Sequence, residues 1–560
     1  MQVGRSGVRG YGWIDRCGSG GPRRGPRVAG VCEERVSQSN RFQGALSWSF
    51  LANGGKVVTN MVVLAVLSAL LGPERMGIVV VANLYIFLIQ QTVIQGTIPT
   101  IVQRSDLEPD HKHSAFWLVL ATAGVFVGIS MLIAAPVTGL LSNFVPGNWT
   151  DSSIASLTNV IRVLALSLLV RATSILPESL FRRSMDFKTL GIRSNIAAVT
   201  AGVAALVAAF LGAGIWSLVV MQLTLVTTEA ILLWTATEYR PRLLISWSHA
   251  RDLLPFYWRN MLAALGEFSN SRVDTFVVAF YFGPQVTGLY RIPSRLIETQ
   301  MDVAARSLQG VALPELSRLQ HDKAQFTERL LELITLSNRL VVPLMGVIAA
   351  SAHGLLRSLD AFSSALRNLA SWLDFSDGEV AWAEGADALE VLCLVGAFQA
   401  LYYLVAPTLQ AFGKPAALAA LIWAGAACSA VIFIVTGVIF QESEIANQVL
   451  AVAGARALLF GGVLMVLGQA MLYRITGLSP LRVLANIRWL LLAGLSAYVV
   501  REAIDLVIDL GTFPPLADLV ISMGAGLLTV GFVLLTFDAG SKKGAKSIKS
   551  RRSAARTTSV

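Results

Sequence analysis

Apolar runs long enough to cross a bilayer follow one another from residue 44 to residue 537 of this 560-residue chain. A helix needs about 20 apolar residues to span the hydrocarbon core. In lipid every backbone N–H and C=O must be satisfied within the protein, so continuous apolar runs of this length cross as helices. The runs cover 44–71, 77–103, 115–141, 154–180, 192–212, 214–235, 252–282, 286–313, 326–352, 388–412, 416–440, 446–473, 486–507 and 515–537. The fold class is therefore an all-α polytopic membrane protein with about 14 transmembrane helices. Only 14% of residues are charged, against about 25% in soluble domains.

Charge in the connections tests this count. With both termini cytoplasmic, the inner loops carry Arg104 and Lys112; Arg182, Arg183, Lys188 and Arg193; Arg240, Arg242 and Arg251; Arg318, Lys323 and Arg329; Lys414; and Arg474, Arg482 and Arg488. The outer loops carry only Arg75, Arg357 and Arg367. This is the asymmetry of the positive-inside rule, and one miscounted span would reverse every later loop. Trp149, Trp247 and Trp382 fall near the expected interfaces. The net charge of +10 resides in loops and tails rather than in a basic domain interleaved with aromatics, so no nucleic-acid partner is expected. Cys17, Cys32, Cys393 and Cys428 form no metal spacing, and His111 and His113 share a short polar loop without further ligands, so no metal or cofactor is implied.

A short pattern occurs twice. Leu71-Gly72-Pro73-Glu74-Arg75-Met76-Gly77 follows the first span, and Phe282-Gly283-Pro284-Gln285-Val286-Thr287-Gly288 follows the seventh. A weaker echo pairs Pro177-Glu178-Ser179-Leu180-Phe181 with Pro407-Thr408-Leu409-Gln410-Ala411, each ending the fourth span of its half. Six spans separate the copies, so the halves share one orientation, with a site expected between them. The expected layout is a disordered basic N-terminal tail over 1–40, or an over-extended reading frame there; a first six-helix bundle over 41–240; a second over 241–475 with an outward loop at 353–387; two additional helices over 476–538; and a basic tail over 539–560. The N-terminal stretch lacks the apolar core of a signal peptide. Within the outward loop, Ala361 to Leu373 has an amphipathic pattern suited to the outer surface, and a plain acidic loop fits equally well.

The stretch from Arg272 to Arg306 carries the chemistry. Arg291, Arg295, Glu298, Asp302 and Arg306 recur at spacings of four, three, four and four. On a helix they form a stripe about 80° wide, and Leu296, Ile297, Val303 and Ala304 form the apolar back. Soluble amphipathic helices share this pattern. Between membrane spans, however, charges face the protein interior or a wet cavity. Structural pairing is the competing reading: Arg295 with Glu298, Arg306 with Asp302 and Arg272 with Asp274. Lys56 stands mid-span between Gly54-Gly55 and Val57-Val58, with no acidic neighbour in its own helix. Arg162 and Arg171 are further cations within spans, and Glu178, Glu229 and Glu267 further acids.

Several segments together resemble bacterial polysaccharide flippases. They are Ala45-Leu46-Ser47-Trp48-Ser49, the Gly72 turn, Leu180-Phe181-Arg182-Arg183-Ser184-Met185-Asp186-Phe187-Lys188, Gly214-Ile215-Trp216-Ser217-Leu218, Tyr239-Arg240-Pro241 and Val273-Asp274 before Gly283. The nearest likeness is to Wzx and WzxC-like translocases of lipopolysaccharide or exopolysaccharide in the MOP superfamily. It runs from about residue 41 to 345 and resumes near 381 with Trp382-Ala383-Glu384 and Leu389-Glu390-Val391-Leu392. Residues 353–380 depart from the family's short connection.

The resemblance implies two six-helix bundles forming a V, alternating access and location in the cytoplasmic membrane. It implies an undecaprenyl-pyrophosphate-linked oligosaccharide as substrate and coupling to an H+ or Na+ gradient. A polysaccharide polymerase and a chain-length regulator are the expected protein partners. On this reading Lys56, Arg272, Arg291, Arg295 and Arg306 are the candidate substrate-binding residues, since guanidinium groups bind phosphate oxygens bidentately and stay charged. Asp274, Glu298 and Asp302 are the candidate ion-coupling residues, since a carboxylate in a low dielectric exchanges protons readily. A multidrug-type antiporter on the same fold would favour an acidic, aromatic cavity over one rich in arginine. A membrane polymerase or ligase would place its chemistry in the long outer loop, which contains His353 but no nucleophile–His pair and no phosphate-cradling glycine loop. The chain is therefore expected to be no enzyme.

Overall fold

The computed structural model describes residues 26–103, 108–144, 147, 149–184, 186–243, 246–301, 307–369 and 381–538. Two long helices, each broken once, organise the molecule. The first, α1 (Pro26–Gln103), breaks at Gly72, where φ is 76° and ψ 171°. This backbone region is essentially confined to glycine. Pro73 follows, its φ preset for a new first turn and its missing N–H unneeded there. The second long helix, α6 (Trp247–Met301), repeats the arrangement at Gly283, with φ 81° and ψ −172°, followed by Pro284. The two Gly-Pro dipeptides are thus stop–start signals between successive spans.

Between them come α2 (Pro109–Phe144), α3 (Asp151–Arg183), α4 (Phe187–Phe210) and α5 (Trp216–Ala236). After α6 come α7 (Ser307–Arg318), α8 (Lys323–Ala350) and α9 (Ala352–Leu369). The second half continues through α10 (Ala386–Tyr402), α11 (Val405–Ala411), α12 (Pro415–Phe440), α13 (Ile445–Ala457) and α14 (Met465–Thr476). The last pair is α15 (Pro480–Ile508) and α16 (Pro515–Val533).

Eleven helices among the described residues are long and apolar enough to cross a membrane. Counting each limb of the two broken helices restores the fourteen expected from the sequence. The apolar run Thr59–Gln91 passes through the Gly72 break, so two limbs count as one. Both limbs of α6 carry charged side chains and so fall short on apolar composition.

Two expected boundaries differ. Helix α1 begins at Pro26, inside the stretch expected to be a tail. The outward segment expected to be amphipathic from Ala361 is already helical from Ala352, as α9. That helix is held on both sides. Its Asp360 accepts hydrogen bonds from the backbone N–H groups of Trp382 and Ala383, at 2.8 and 3.0 Å. Its Ser363 hydroxyl donates to the Ala69 carbonyl of α1. Arg357 reaches Asp518 of α16 at 3.3 Å.

The turn motifs pack against each other reciprocally. A methyl group on Gly77 would overlap the Pro284 carbonyl, and one on Gly288 would overlap the Pro73 carbonyl. Each glycine therefore admits the other half's turn to backbone contact, as small residues do between membrane helices. At this end one continuous core joins the halves, with Leu70, Leu71 and Met76 packed together with Val278, Phe282 and Val286. Toward the other end the cores separate. Ile101, Phe116 and Leu176 cluster in the first half, and Leu316, Phe326 and Leu409 in the second.

Candidate functional site

A cavity of about 300 Å³ lies between the halves, below the paired turns. Its two walls differ chemically. The second half contributes Arg272 from the first limb of α6 and Arg291 and Arg295 from the second. The first half contributes Asn83, Phe87 and Gln90 from α1 and Gln222 from α5. At the same distance beyond each turn glycine, Val80 corresponds to Arg291, Leu84 to Arg295 and Phe87 to Glu298. The repeat thus supplies a symmetric scaffold with charge on one side only.

The arginines converge on one carboxylate. Arg291 donates to both oxygens of Glu298, at 3.0 and 3.2 Å. Arg272 and Arg295 each approach Glu298 at 3.6 Å. A fourth guanidinium, Arg456 of α13, reaches Glu298 at 3.7 Å and Asp274 at 2.9 Å. Among the described residues four guanidinium groups face two carboxylates, an excess of two positive charges. Arg295 is the most accessible, its side chain 41% exposed, whereas the Glu298 side chain is 18% exposed. The Arg272 guanidinium also lies over the Phe87 ring, 5.5 Å from its centroid, within cation–π range.

Behind this face lies a closed polar knot. The Tyr290 hydroxyl donates to Asp274 Oδ2 at 2.9 Å and accepts from Arg456 at 2.9 Å. Asp274 Oδ1 accepts from the backbone N–H and the hydroxyl of Thr275, at 2.7 and 3.2 Å. Both Asp274 oxygens are occupied, so its most direct role is to hold Arg456. The pairing of Arg272 with Asp274 considered from the sequence is replaced by two others: Asp274 takes Arg456, and Arg272 turns to Glu298.

The structure brings together Arg272, Arg291, Arg295, Glu298 and Asp274. Lys56 belongs to α1, next to the point where Gly55 meets Asn195 of α4. Its side chain, like all of Asp302 and Arg306, lies outside the described residues. Arg162 is half-buried on α3. Arg171 joins a separate cluster, pairing with Glu178 at 2.8 Å and approaching Glu229 at 3.7 Å. Arg182 and Arg193 complete that cluster around Glu178, tying α3 to α4 and α5. Arg456 and Tyr290 were missed by sequence reasoning. A signal for Arg456 existed, since it is the single charge in the apolar run from Val449 to Leu464. Among the described residues no group of His, Cys, Asp and Glu could hold a metal ion.

Residues 66–359, just over half of the chain, match a family described as polysaccharide biosynthesis protein. The chain belongs to that family. The chain is similar to the succinoglycan biosynthesis transport protein ExoT of Rhizobium meliloti (strain 1021), 24% identical over 300 residues. That match covers 54% of this chain and 58% of the relative, less than two thirds of the relative's length. Among solved structures, the lipid II flippase MurJ in an inward closed conformation superposes with a TM-score of 0.65 at 13% identity, covering 88% of this chain and 98% of that one. At that identity the likeness is one of fold: a polytopic helical membrane protein with the same broad architecture.

Proposed function

We propose that this member of the polysaccharide biosynthesis family carries an undecaprenyl-pyrophosphate-linked oligosaccharide across the cytoplasmic membrane, with the arginine wall of the inter-bundle cavity binding the pyrophosphate. The observation that carries the reading is the convergence of Arg272, Arg291 and Arg295 on a cavity between two pseudo-symmetric halves. An excess of cations in a membrane interior favours an anionic guest. The similarity to a succinoglycan transport protein supports a polysaccharide unit as cargo.

The cavity volume is at the lower end of the ~300–1,000 Å³ range of small-molecule sites. It can hold a pyrophosphate and an adjoining group, and a longer glycan requires the halves to separate. Glu298 is the natural exchange partner. A pyrophosphate arriving at Arg291 and Arg295 competes for guanidinium donors that Glu298 now occupies. A carboxylate stripped of its cations takes up H+ or Na+ in their place, which links anion binding to an ion gradient. The concentration of Arg and Lys in alternate connections supports cytoplasmic termini.

Binding of undecaprenyl pyrophosphate to the purified protein in nanodiscs tests this. Arg295→Ala is expected to weaken binding about tenfold or more, since hydrogen bonds to charged groups contribute about 1.5–3 kcal/mol. Arg295→Lys should lie between the two, keeping charge and losing the fork. If Arg295→Ala with Glu298→Ala binds as well as the parent, the arginine serves only an ion pair, and the reading fails.

A further inference from the structure

Anion binding uses one wall of the cavity and leaves the other without a role. On that wall Asn83, Phe87 and Gln90 fall on one face of α1, spaced by four and three residues, with Gln222 of α5 beside them. Asn83, Gln90 and Gln222 are all half-buried and line the cavity. Among the described residues none of the three amides has a hydrogen-bond partner. Their donors and acceptors are therefore available to whatever enters the cavity, water or a polar guest. Each amide offers two N–H donors and a carbonyl acceptor. Among the described residues, those of the first half that line the cavity carry no formal charge.

We infer that this wall is a glycan subsite, taking the first sugar attached to the pyrophosphate and so setting sugar selectivity. This rests on the carrier reading above. The occupant follows from the chemistry. A prenyl chain would leave three amides unsatisfied. A second anionic group would find no cation among the described residues of this wall. A neutral ring bearing several hydroxyls satisfies both donors and acceptors, and amides can bridge adjacent hydroxyls. Phe87, whose ring also meets Phe268 at 5.9 Å between centroids, adds an apolar edge to this wall, and its contact with the Arg272 guanidinium places that edge beside the anion site. The two walls then read the two adjoining parts of one ligand. The second half holds the group common to every lipid-linked unit, and the first half discriminates what is attached to it. A site that hydrogen-bonds hydroxyls discriminates strongly against guests lacking them, because its own polar groups are left unpaired.

The test compares four probes in nanodiscs: undecaprenyl pyrophosphate alone, and the same lipid carrying a single glucose, galactose or N-acetylglucosamine. The parent protein should bind at least one glycosylated lipid about tenfold tighter than the bare lipid. Gln90→Met and Gln222→Met should remove most of that increment and move the affinity for bare lipid far less. Asn83→Leu should behave in the same way. A purely structural role would shift all four affinities together. The inference is overturned if no sugar adds affinity in the parent, or if the Met and Leu variants keep the full increment. If the parent binds none of the four lipids, or Arg295→Ala leaves bare-lipid binding unchanged, the carrier reading itself fails and the subsite falls with it.

Discussion

Arg456 illustrates how much one buried ion can organise. It bonds Asp274 and Tyr290 directly and leans toward Glu298, so three side chains on α6 depend on a cation supplied by α13. Its side chain is 11% exposed and that of Asp274 9%. Removing one member of a buried pair leaves the other charge uncompensated, which costs about 3–5 kcal/mol. Arg456→Met should therefore lower the unfolding midpoint of the solubilised protein strongly. Asp274→Asn combined with Arg456→Met should recover much of the loss, because no unpaired charge remains. An Arg456→Met variant as stable as the parent would remove the structural role assigned to this knot.

At the scale of elements, the Gly-Pro turns and α9 make different kinds of connection. The turns interlock through backbone, with Gly77 against Pro284 and Gly288 against Pro73. Neither carbonyl can rotate away as a flexible side chain could. Gly77→Ala and Gly288→Ala should each force the halves apart at this end, at about 1–3 kcal/mol for overpacking. Similar losses in thermal midpoint are expected from the two variants because the contact is reciprocal; a neutral Gly288→Ala would break the equivalence.

Helix α9 is attached by chemistry that responds to pH. His353 lies 3.1 Å from Glu390 and 3.2 Å from Asp387 of α10. Tyr498 of α15 donates to the other Glu390 oxygen at 3.1 Å. The hydrogen bond to Glu390 raises the His353 pKa above its ordinary 6.5, while burial and Arg501 of α15 oppose the shift. The folded state thus binds this proton more tightly than the unfolded chain. The stabilisation is complete below about pH 6.5 and disappears as pH rises through the raised value. The difference in unfolding midpoint between the parent and His353→Gln should be largest below about pH 6.5 and shrink as pH rises through the raised His353 pKa. A difference that does not change with pH would rule out the protonated pair.

For the whole molecule, the decisive feature is a core shared at one end and divided at the other. Apolar cores are close-packed and resist continuous deformation, so the proposed carriage calls for rigid-body movement of the halves between discrete arrangements. Passing a bulky ligand through requires the shared end to open. Cysteines replacing Ala69 and Ser363, buried neighbours across that end, can be joined directly by oxidation to a disulfide that a reductant cleaves. Transport in proteoliposomes should stop on cross-linking and resume on cleavage. A cysteine at position 295 should remain open to aqueous reagents from the opposite side throughout. Undiminished transport in the cross-linked protein would mean that the halves need not part there.

Membrane class, the succession of spans, the two Gly-Pro breaks and the one-sided stripe of Arg291, Arg295 and Glu298 were all legible in the sequence. Each is written in local composition or in the 3.6-residue period, and lipid leaves a long apolar run no other regular form. Tertiary structure alone decided the partners. Arg456 lies 182 residues from Asp274 in the chain, and nothing local to either residue says that they meet. Nor does the sequence around Asn83, Gln90 and Gln222 say that these residues turn inward to line the cavity. Such outcomes depend on how each helix is rotated about its own axis, and neighbouring side chains on a helix are only about 100° apart. A modest rotation exchanges a lipid-facing residue for one facing the cavity, and packing between distant segments sets that angle.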